Sequence, residues 1–225
     1  MAIEIELRMQ SATLKGRRVL ITAGPTWVAI DKVRVISNIS TGNTGILLAK
    51  QADKMGARVT LILGPIGETK LGKTINVKRY NYFDELYKII RQELKTRKYD
   101  AVIHSAAVSD YKLKKENSRK IKSDIKNLNL VLKPTAKIIN NIKKYAAKTV
   151  LVLFKLELGV SQDKMIERAR KAMQSSRADL AVANTFSGRK TYQALIIDRD
   201  KVFCKINSKK ELARKLLEII SFQSN

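Results

Sequence analysis

Short β-branched apolar runs alternate with amphipathic helical patterns along this chain, and that alternation admits few folds. RRVLITAG, from Arg17 to Gly24, is a charged pair followed by an apolar run that stops at Gly-Pro, so Arg18–Gly24 reads as a buried strand. Leu48, Ala52 and Met55 then recur at helical spacing between Gly42 and Gly56, with Gly56 placed as a helix stop. Arg58–Gly64 and INVKRY (Ile75–Tyr80) read as strands. Phe83–Lys95 sets Phe83, Leu86, Tyr87, Ile90 and Leu94 on one helical face, and DAVIHSA (Asp100–Ala106) is the next strand. Strands separated by helices of roughly 11 to 15 residues imply parallel neighbours joined by right-handed crossovers, an open α/β sheet covered on both faces.

From Lys112 to Lys126 the rhythm breaks: seven basic residues stand against Glu116 and Asp124 with little apolar content. This stretch reads as a mobile, solvated basic flap. Order resumes with a strand LNLVLK (Leu128–Lys133), a helix near Thr135–Ala147, the strand TVLVLF (Thr149–Phe154) and a helix over Gln162–Ser175. The strand ADLAVANT (Ala178–Thr185) follows, then a hairpin of YQALIID (Tyr192–Asp198) with KVFCKI (Lys201–Ile206). A last helix opens with Ser208 and Glu211 in capping-box spacing. The expectation is one Rossmann-like α/β domain over residues 14–225, a mostly parallel sheet with a small antiparallel extension, preceded by an extension or linker over residues 1–13.

Composition narrows the chemistry. Lys and Arg number 45 against 20 Asp and Glu, a net charge of +25 on 225 residues, which points to anionic partners. No zinc-finger spacing, RNP-like aromatic strand or basic region followed by heptads is present, so small phosphorylated substrates are favoured over specific nucleic-acid binding. One cysteine, Cys204, and one histidine, His104, disfavour disulfide, zinc and redox chemistry. There is no run of about 18 uncharged apolar residues and no basic-then-apolar leader, so a cytoplasmic location off the membrane is expected.

Two loops could bind an anion. TAGPT (Thr22–Thr26) leaves the first strand, and SNISTGNTG (Ser37–Gly45) opens a helix. Backbone amides at a helix start hold phosphate and glycines admit a ligand close to the main chain, although neither GxGxxG nor Walker A is matched and tight turns alone would read the same. HSAAVSDY ends the fourth strand, where ligand groups collect in open sheets. There Asp110 can contact a ligand or cap a turn, and His104 reads as a packed side chain rather than a proton carrier. The flap cations Lys112, Lys114, Lys115, Arg119, Lys120 and Lys122 could clamp a polyphosphate or form a solvated face.

Several ordered segments together resemble one family, phosphopantothenate-cysteine ligase, from about Leu14 to Ile220. They are VLITAGPT, Ile30-Asp31, VRVISNISTGNTG, AAVSDY, the flap RKIKS, FKLE with VSQDKMIERAR, and DLAVANT. The resemblance implies that the carboxylate of 4'-phosphopantothenate attacks the α-phosphate of CTP, releasing pyrophosphate, and that the amine of L-cysteine then displaces CMP. It places Asn38 on the acyl intermediate with Arg34 beside the substrate. His104, Ser105, Ala106, Asp110, Ala136, Lys137, Ile138, Ile139 and Phe154 would line the nucleotide, and Lys120 would close on phosphates and carboxylate. Mg2+ would accompany the nucleotide with protein ligands unspecified, and a homodimer is implied.

The resemblance also implies a functional link to a phosphopantothenoylcysteine decarboxylase, whose domain is not seen here; the residues before Leu14 resemble the linker of such a fusion. Two helix lysines of bacterial members fall on Ala172 and Ser176, with Lys171 and Arg177 adjacent in sequence, which puts CTP over ATP in question. Against this reading stand a dinucleotide-dependent oxidoreductase, weakened by the missing GxGxxG, and a nonenzymatic basic nucleic-acid binder.

Overall fold

The computed structural model describes residues 12–115, 119–187 and 191–223. In chain order the strands are β1 (Arg18–Ala23), β2 (Trp27–Ala29), β3 (Val35–Ser37), β4 (Arg58–Leu63), β5 (Asn76–Arg79), β6 (Ala101–His104), β7 (Tyr111–Leu113), β8 (Leu132–Pro134), β9 (Val150–Leu156), β10 (Leu180–Ser187), β11 (Thr191–Ile197) and β12 (Val202–Ile206). The helices are α1 (Asn43–Lys54), α2 (Phe83–Thr96), α3 (Ile139–Tyr145), α4 (Gln162–Ser176) and α5 (Lys209–Gln223).

Eight strands form one sheet in the order β12-β11-β10-β9-β6-β1-β4-β5. From β5 to β10 the pairings are parallel, and β11 and β12 extend the sheet antiparallel, as the sequence pattern implies. The chain leaves β1 toward β4 and β5, then crosses back to lay β6 on the other side of β1. That reversal opens a crevice beyond the carboxyl ends of β1 and β6.

Strand alternation divides the core between two faces. Val19, Ile21 and Ala23 pack with Leu48, Ala49 and Ala52 of α1 and Leu212, Leu216 and Ile220 of α5. Leu20, Ile62, Val102 and Leu151 pack on the opposite face with Leu86 and Ile90 of α2, Ile142 of α3, and Met165, Ala169 and Met173 of α4. Each fully buried Val, Leu, Ile or Met side chain here contributes roughly 1.5–3 kcal/mol of transfer free energy, the alanines less. Glu85 starts α2 by accepting from the amides of Asn81 at 2.7 Å and Tyr82 at 3.2 Å. Ser208 and Glu211 form half of the expected box: Ser208 Oγ accepts from Glu211 N at 3.2 Å, while Glu211 Oε2 accepts from Asn207 N, one residue earlier, at 3.2 Å.

Three local expectations change. The strand expected over Leu128–Lys133 is regular only at Leu132–Pro134, against β7; one further bond, from Lys114 N to Val131 O at 2.9 Å, precedes it. The helix expected from Thr135 begins at Ile139: Thr135 N donates to Asp110 O at 2.9 Å and its hydroxyl to Ser109 O at 2.7 Å, which keeps that residue extended. The loop after β1 contains a small hairpin, β2 paired with β3. Most of the expected extension over residues 1–13, together with Glu116 of the flap, lies outside the described residues.

Candidate active site

The carboxyl ends of β1 and β6 are joined through Thr22, a fully buried hydroxyl in an otherwise apolar strand. Its Oγ1 accepts from Ala106 N at 3.2 Å and lies 2.9 Å from His104 Nδ1. Its carbonyl accepts from Ser105 N at 3.2 Å and Ser105 Oγ at 2.7 Å. His104 is buried, and desolvation lowers its pKa from the usual 6.5 to about 4, so at neutral pH it is an uncharged packing and hydrogen-bonding group.

Gly24 follows β1 with φ +83°, which favours glycine, and a Cβ there would sit a tight 3.1 Å from Gly64 N. Tyr80 OH supports it, donating to the carbonyls of Ala23 and Gly24 at 3.0 Å each. Burial pushes the Tyr80 phenol well above its ordinary range, so it stays a neutral donor.

Helix α1 points its amino end at this junction. A Cβ on Gly45 would come 2.4 Å from Ala23 Cβ and 2.9 Å from Ser105 Oγ, so glycine is what lets the first turn of the helix approach the strand ends. Gly42 itself offers no capping side chain, and only long bonds from Gly42 N to Ser40 Oγ and from Asn43 N to Thr41 Oγ1, both 3.4 Å, meet the amides there. The amino-terminal amides and the helix dipole therefore favour negative charge at the crevice.

The remaining side chains come from loops around the crevice. Asn38 is exposed just after β3, and its Nδ2 donates to Ala107 O at 3.0 Å, tying the β3 loop to the β6 loop. Asp110 Oδ1 accepts from Lys137 Nζ. Ala136 is exposed, whereas Ile138 is buried and, with the half-buried Ile139, belongs to the core face that also takes Ala106. Phe154 does not join them: it packs on the opposite face, with the core under α1 and α5.

Arg34 is bound to Asp31, its Nε at 3.0 Å and Nη2 at 2.6 Å from Asp31 Oδ2. The guanidinium comes first among the causes that hold the Asp31 carboxyl far below the usual carboxylate range, with the Ile121 amide next. Lys120 is exposed beside Ile121. Sequence reasoning gave no role to Tyr80 or Asp31, and it took Thr22 as part of a candidate anion loop rather than as the hydroxyl that joins two strand ends. For Thr22 the available signal was a hydroxyl inside a buried strand.

At the other end of the crevice, Lys155, Glu157, Arg168, Lys171, Ala172 and Ser175 line an open cleft between the end of β9 and α4. Burial pushes Glu157 up, but hydrogen bonds from Arg168 at 2.5 Å and Lys155 at 3.2 Å outweigh it and hold the carboxyl below its usual range. Ser176 does not reach the cleft; it is buried, and its Oγ donates to Ala172 O at 2.7 Å.

Residues 14–222 match the family model for the DNA/pantothenate metabolism flavoprotein C-terminal domain. The chain belongs to that family. The family's relatives include the coenzyme A biosynthesis bifunctional protein CoaBC of Thermococcus kodakarensis, 38% identical over 95% of this chain and 53% of that protein. The CoaBC of Borreliella burgdorferi is 32% identical over 94% of this chain and 54% of its own length. The chain thus spans about half the length of these curated relatives.

Among solved structures of the family, the DNA/pantothenate metabolism flavoprotein from Streptococcus pneumoniae superposes with a TM-score of 0.84 at 28% identity, covering 92% of this chain and all of that one (100%). A Cab2 variant in complex with phosphopantothenate-cysteine shares the fold, with a TM-score of 0.76 at 16% identity over 99% of this chain and 92% of its own. No helix among the described residues is long and apolar enough to cross a membrane.

Proposed function

We propose that this chain joins 4'-phosphopantothenate to L-cysteine, with CTP as the activating co-substrate. The observation that carries the reading is the 38% identity with a coenzyme A biosynthesis protein along 95% of the chain. It favours this ligase over a dinucleotide oxidoreductase or a nonenzymatic nucleic-acid binder.

The chemistry suits a site with strong positioning and no activated nucleophile. In the first step a carboxylate oxygen bonds to the α-phosphorus of CTP and the bond to the β-phosphate bridge breaks, giving an acyl-cytidylate and pyrophosphate. In the second the cysteine amine bonds to the acyl carbon, CMP leaves, and the amine loses a proton. Neither step needs a general base on the protein that is stronger than a phosphate oxygen. Rate can come from alignment and charge stabilisation.

In this reading Asn38 donates its amide to the developing acyl oxyanion without adding charge, and Arg34 stands near the substrate. Ser105, Ala106 and the backbone around His104 form the floor under the nucleotide, with Ala136, Lys137, Ile138 and Ile139 along one side. Asp110 accepts from the cytosine amine. Phe154, half-buried on the face under α1 and α5, is assigned the apolar wall near the base. Lys120 neutralises phosphate and carboxylate. Mg2+ arrives on the nucleotide and needs few protein ligands of its own.

We also infer a homodimer. Val33, Val35, Ile36 and Ile39 are 64%, 38%, 38% and 102% exposed around β3, and Val131 and Leu132 lie on the neighbouring hairpin, at 64% and 42%. Burying these apolar side chains on a second copy would stabilise the pair. A link to a decarboxylase acting on the product is part of the same proposal.

The test is to incubate the protein with 4'-phosphopantothenate, cysteine, Mg2+ and each nucleoside triphosphate in turn, then resolve products by mass spectrometry. CMP, pyrophosphate and the cysteine adduct are expected. Nucleoside diphosphate and inorganic phosphate would overturn the cytidylate route.

A further inference from the structure

The Asp31 carboxylate is fully removed from solvent in its side chain, yet it does more than close its own turn. Oδ1 accepts from Val33 N and Arg34 N at 2.9 Å each, and Oδ2 from Arg34 Nε at 3.0 Å and Nη2 at 2.6 Å. Those bonds are local and would suffice to satisfy a buried carboxylate. One more comes from 90 residues away: Ile121 N donates to Oδ2 at 3.0 Å. Arg34 Nη2 in turn donates to Ile121 O at 2.6 Å. A single flap residue is therefore gripped by both its N–H and its C=O, between a carboxylate and a guanidinium. Among the described residues from Arg119 to Leu130, Ile121 carries the hydrogen bonds to the rest of the chain.

We propose that Asp31 is a positioning residue that docks the flap main chain at Ile121 and so fixes the backbone from which Lys120, one residue earlier, extends. The proposal rests on the ligase reading in one respect, the assignment of Lys120 to phosphate and carboxylate. The docking itself depends only on the contacts at Ile121. The clamp holds main chain, not a flap side chain. Charge-assisted bonds of this kind are stronger than neutral ones, and the Asp31 end is buried while Arg34 is 40% exposed, so they can hold an otherwise solvated segment in register.

Two variants separate docking from folding. Asp31→Asn weakens the acceptor and breaks the ion pair, whereas Ile121→Pro removes the flap amide and leaves the Asp31–Arg34 pair in place, while also restricting the backbone of Lys120. In the wild-type protein the Ile121 amide should exchange with deuterium at least about tenfold more slowly than an open chain, and Asp31→Asn should abolish that protection. Turnover in both variants should fall by roughly tenfold or more with the KM for cysteine unchanged. In a Lys120→Gln background the same changes should cost little further, because residues acting through one group are not additive.

An unprotected Ile121 amide in the wild-type protein would overturn the proposal. So would an equal loss of turnover from Asp31→Asn with and without Lys120. A wild-type protein with no turnover on any nucleotide would count against the ligase reading alone, because the exchange measurement still decides the docking.

Discussion

Lys137 Nζ stands 2.5 Å from Asp110 Oδ1 while both side chains remain more than half exposed, at 59% and 63%. An exposed pair contributes at most about 1 kcal/mol, so a cytosine amine can take over the carboxylate at small cost. Asp110→Asn keeps an acceptor but adds a donor, which a uracil carbonyl can use. We expect the preference for CTP over UTP in kcat/KM to drop by about tenfold, with Tm nearly unchanged. Equal discrimination in variant and wild type would remove Asp110 from base recognition.

Asn38→Asp should lower turnover by about 100-fold, the scale of losing one oxyanion donor. The structure adds a local consequence: the bond from Asn38 Nδ2 to Ala107 O becomes a carboxylate facing a carbonyl, so the β3 loop should loosen as well. Pre-steady-state trapping of the acyl-cytidylate distinguishes the two effects. Normal turnover in the purified variant would show that Asn38 does not touch the reacting acyl group.

Lys114 and Lys120 are both exposed on the basic stretch, but only Lys120 adjoins the docked Ile121. Lys120→Gln should lose most turnover at every ionic strength. Lys114→Gln should raise KM modestly, an effect that fades as salt screens long-range attraction. Kinetics of both variants at low and high salt decide this, and indistinguishable behaviour would make the stretch a plain solvated face.

Burial of His104 sets an acid limit on stability. Its folded pKa of about 4 lies below the ordinary 6.5, so on acidification the unfolded chain binds the proton first. The His104 contribution should therefore be unchanged above about pH 6.5, fall between 6.5 and 4, and level off below, a loss of about 3 kcal/mol from this group, while the depressed carboxyls of Asp31 and Glu157 continue the loss at lower pH. Urea unfolding at stepped pH, compared with His104→Gln, isolates the contribution. The same slope in both proteins would assign the acid sensitivity elsewhere.

The long strands and helices were legible because each carries several turns or alternations of apolar residues. β1 and β4 start where the sequence pattern starts them, and α4 ends one residue from the expected Ser175. β2, β3 and β7 were not legible and β8 was drawn too long, since a three-residue strand offers barely one alternation and its existence depends on its partner. The site followed the same division. Ser105, Ala106 and Asp110 collect at the crevice because topology fixes strand ends. The contact of Asp31 with Ile121 spans 90 residues, and no local pattern announces it. The position of Phe154 was readable: it shares the parity of Val150 and Val152, whose side of the sheet is the one under α1 and α5.

The burial of Ser176 has a consequence for what this helix can become. Its side chain is 2% exposed and bonded to the carbonyl of Ala172, so a lysine introduced there would carry its ammonium into the apolar layer beneath α4 and be driven toward its neutral form. Ala172, by contrast, borders the open cleft beside Lys171 and Arg168. Of the two positions, one can regain a cation by a single substitution and the other only after its surroundings have been rebuilt. The helix is thus asymmetric in its mutational future: any drift toward stronger polyanion affinity has an open route at 172 and a closed one at 176.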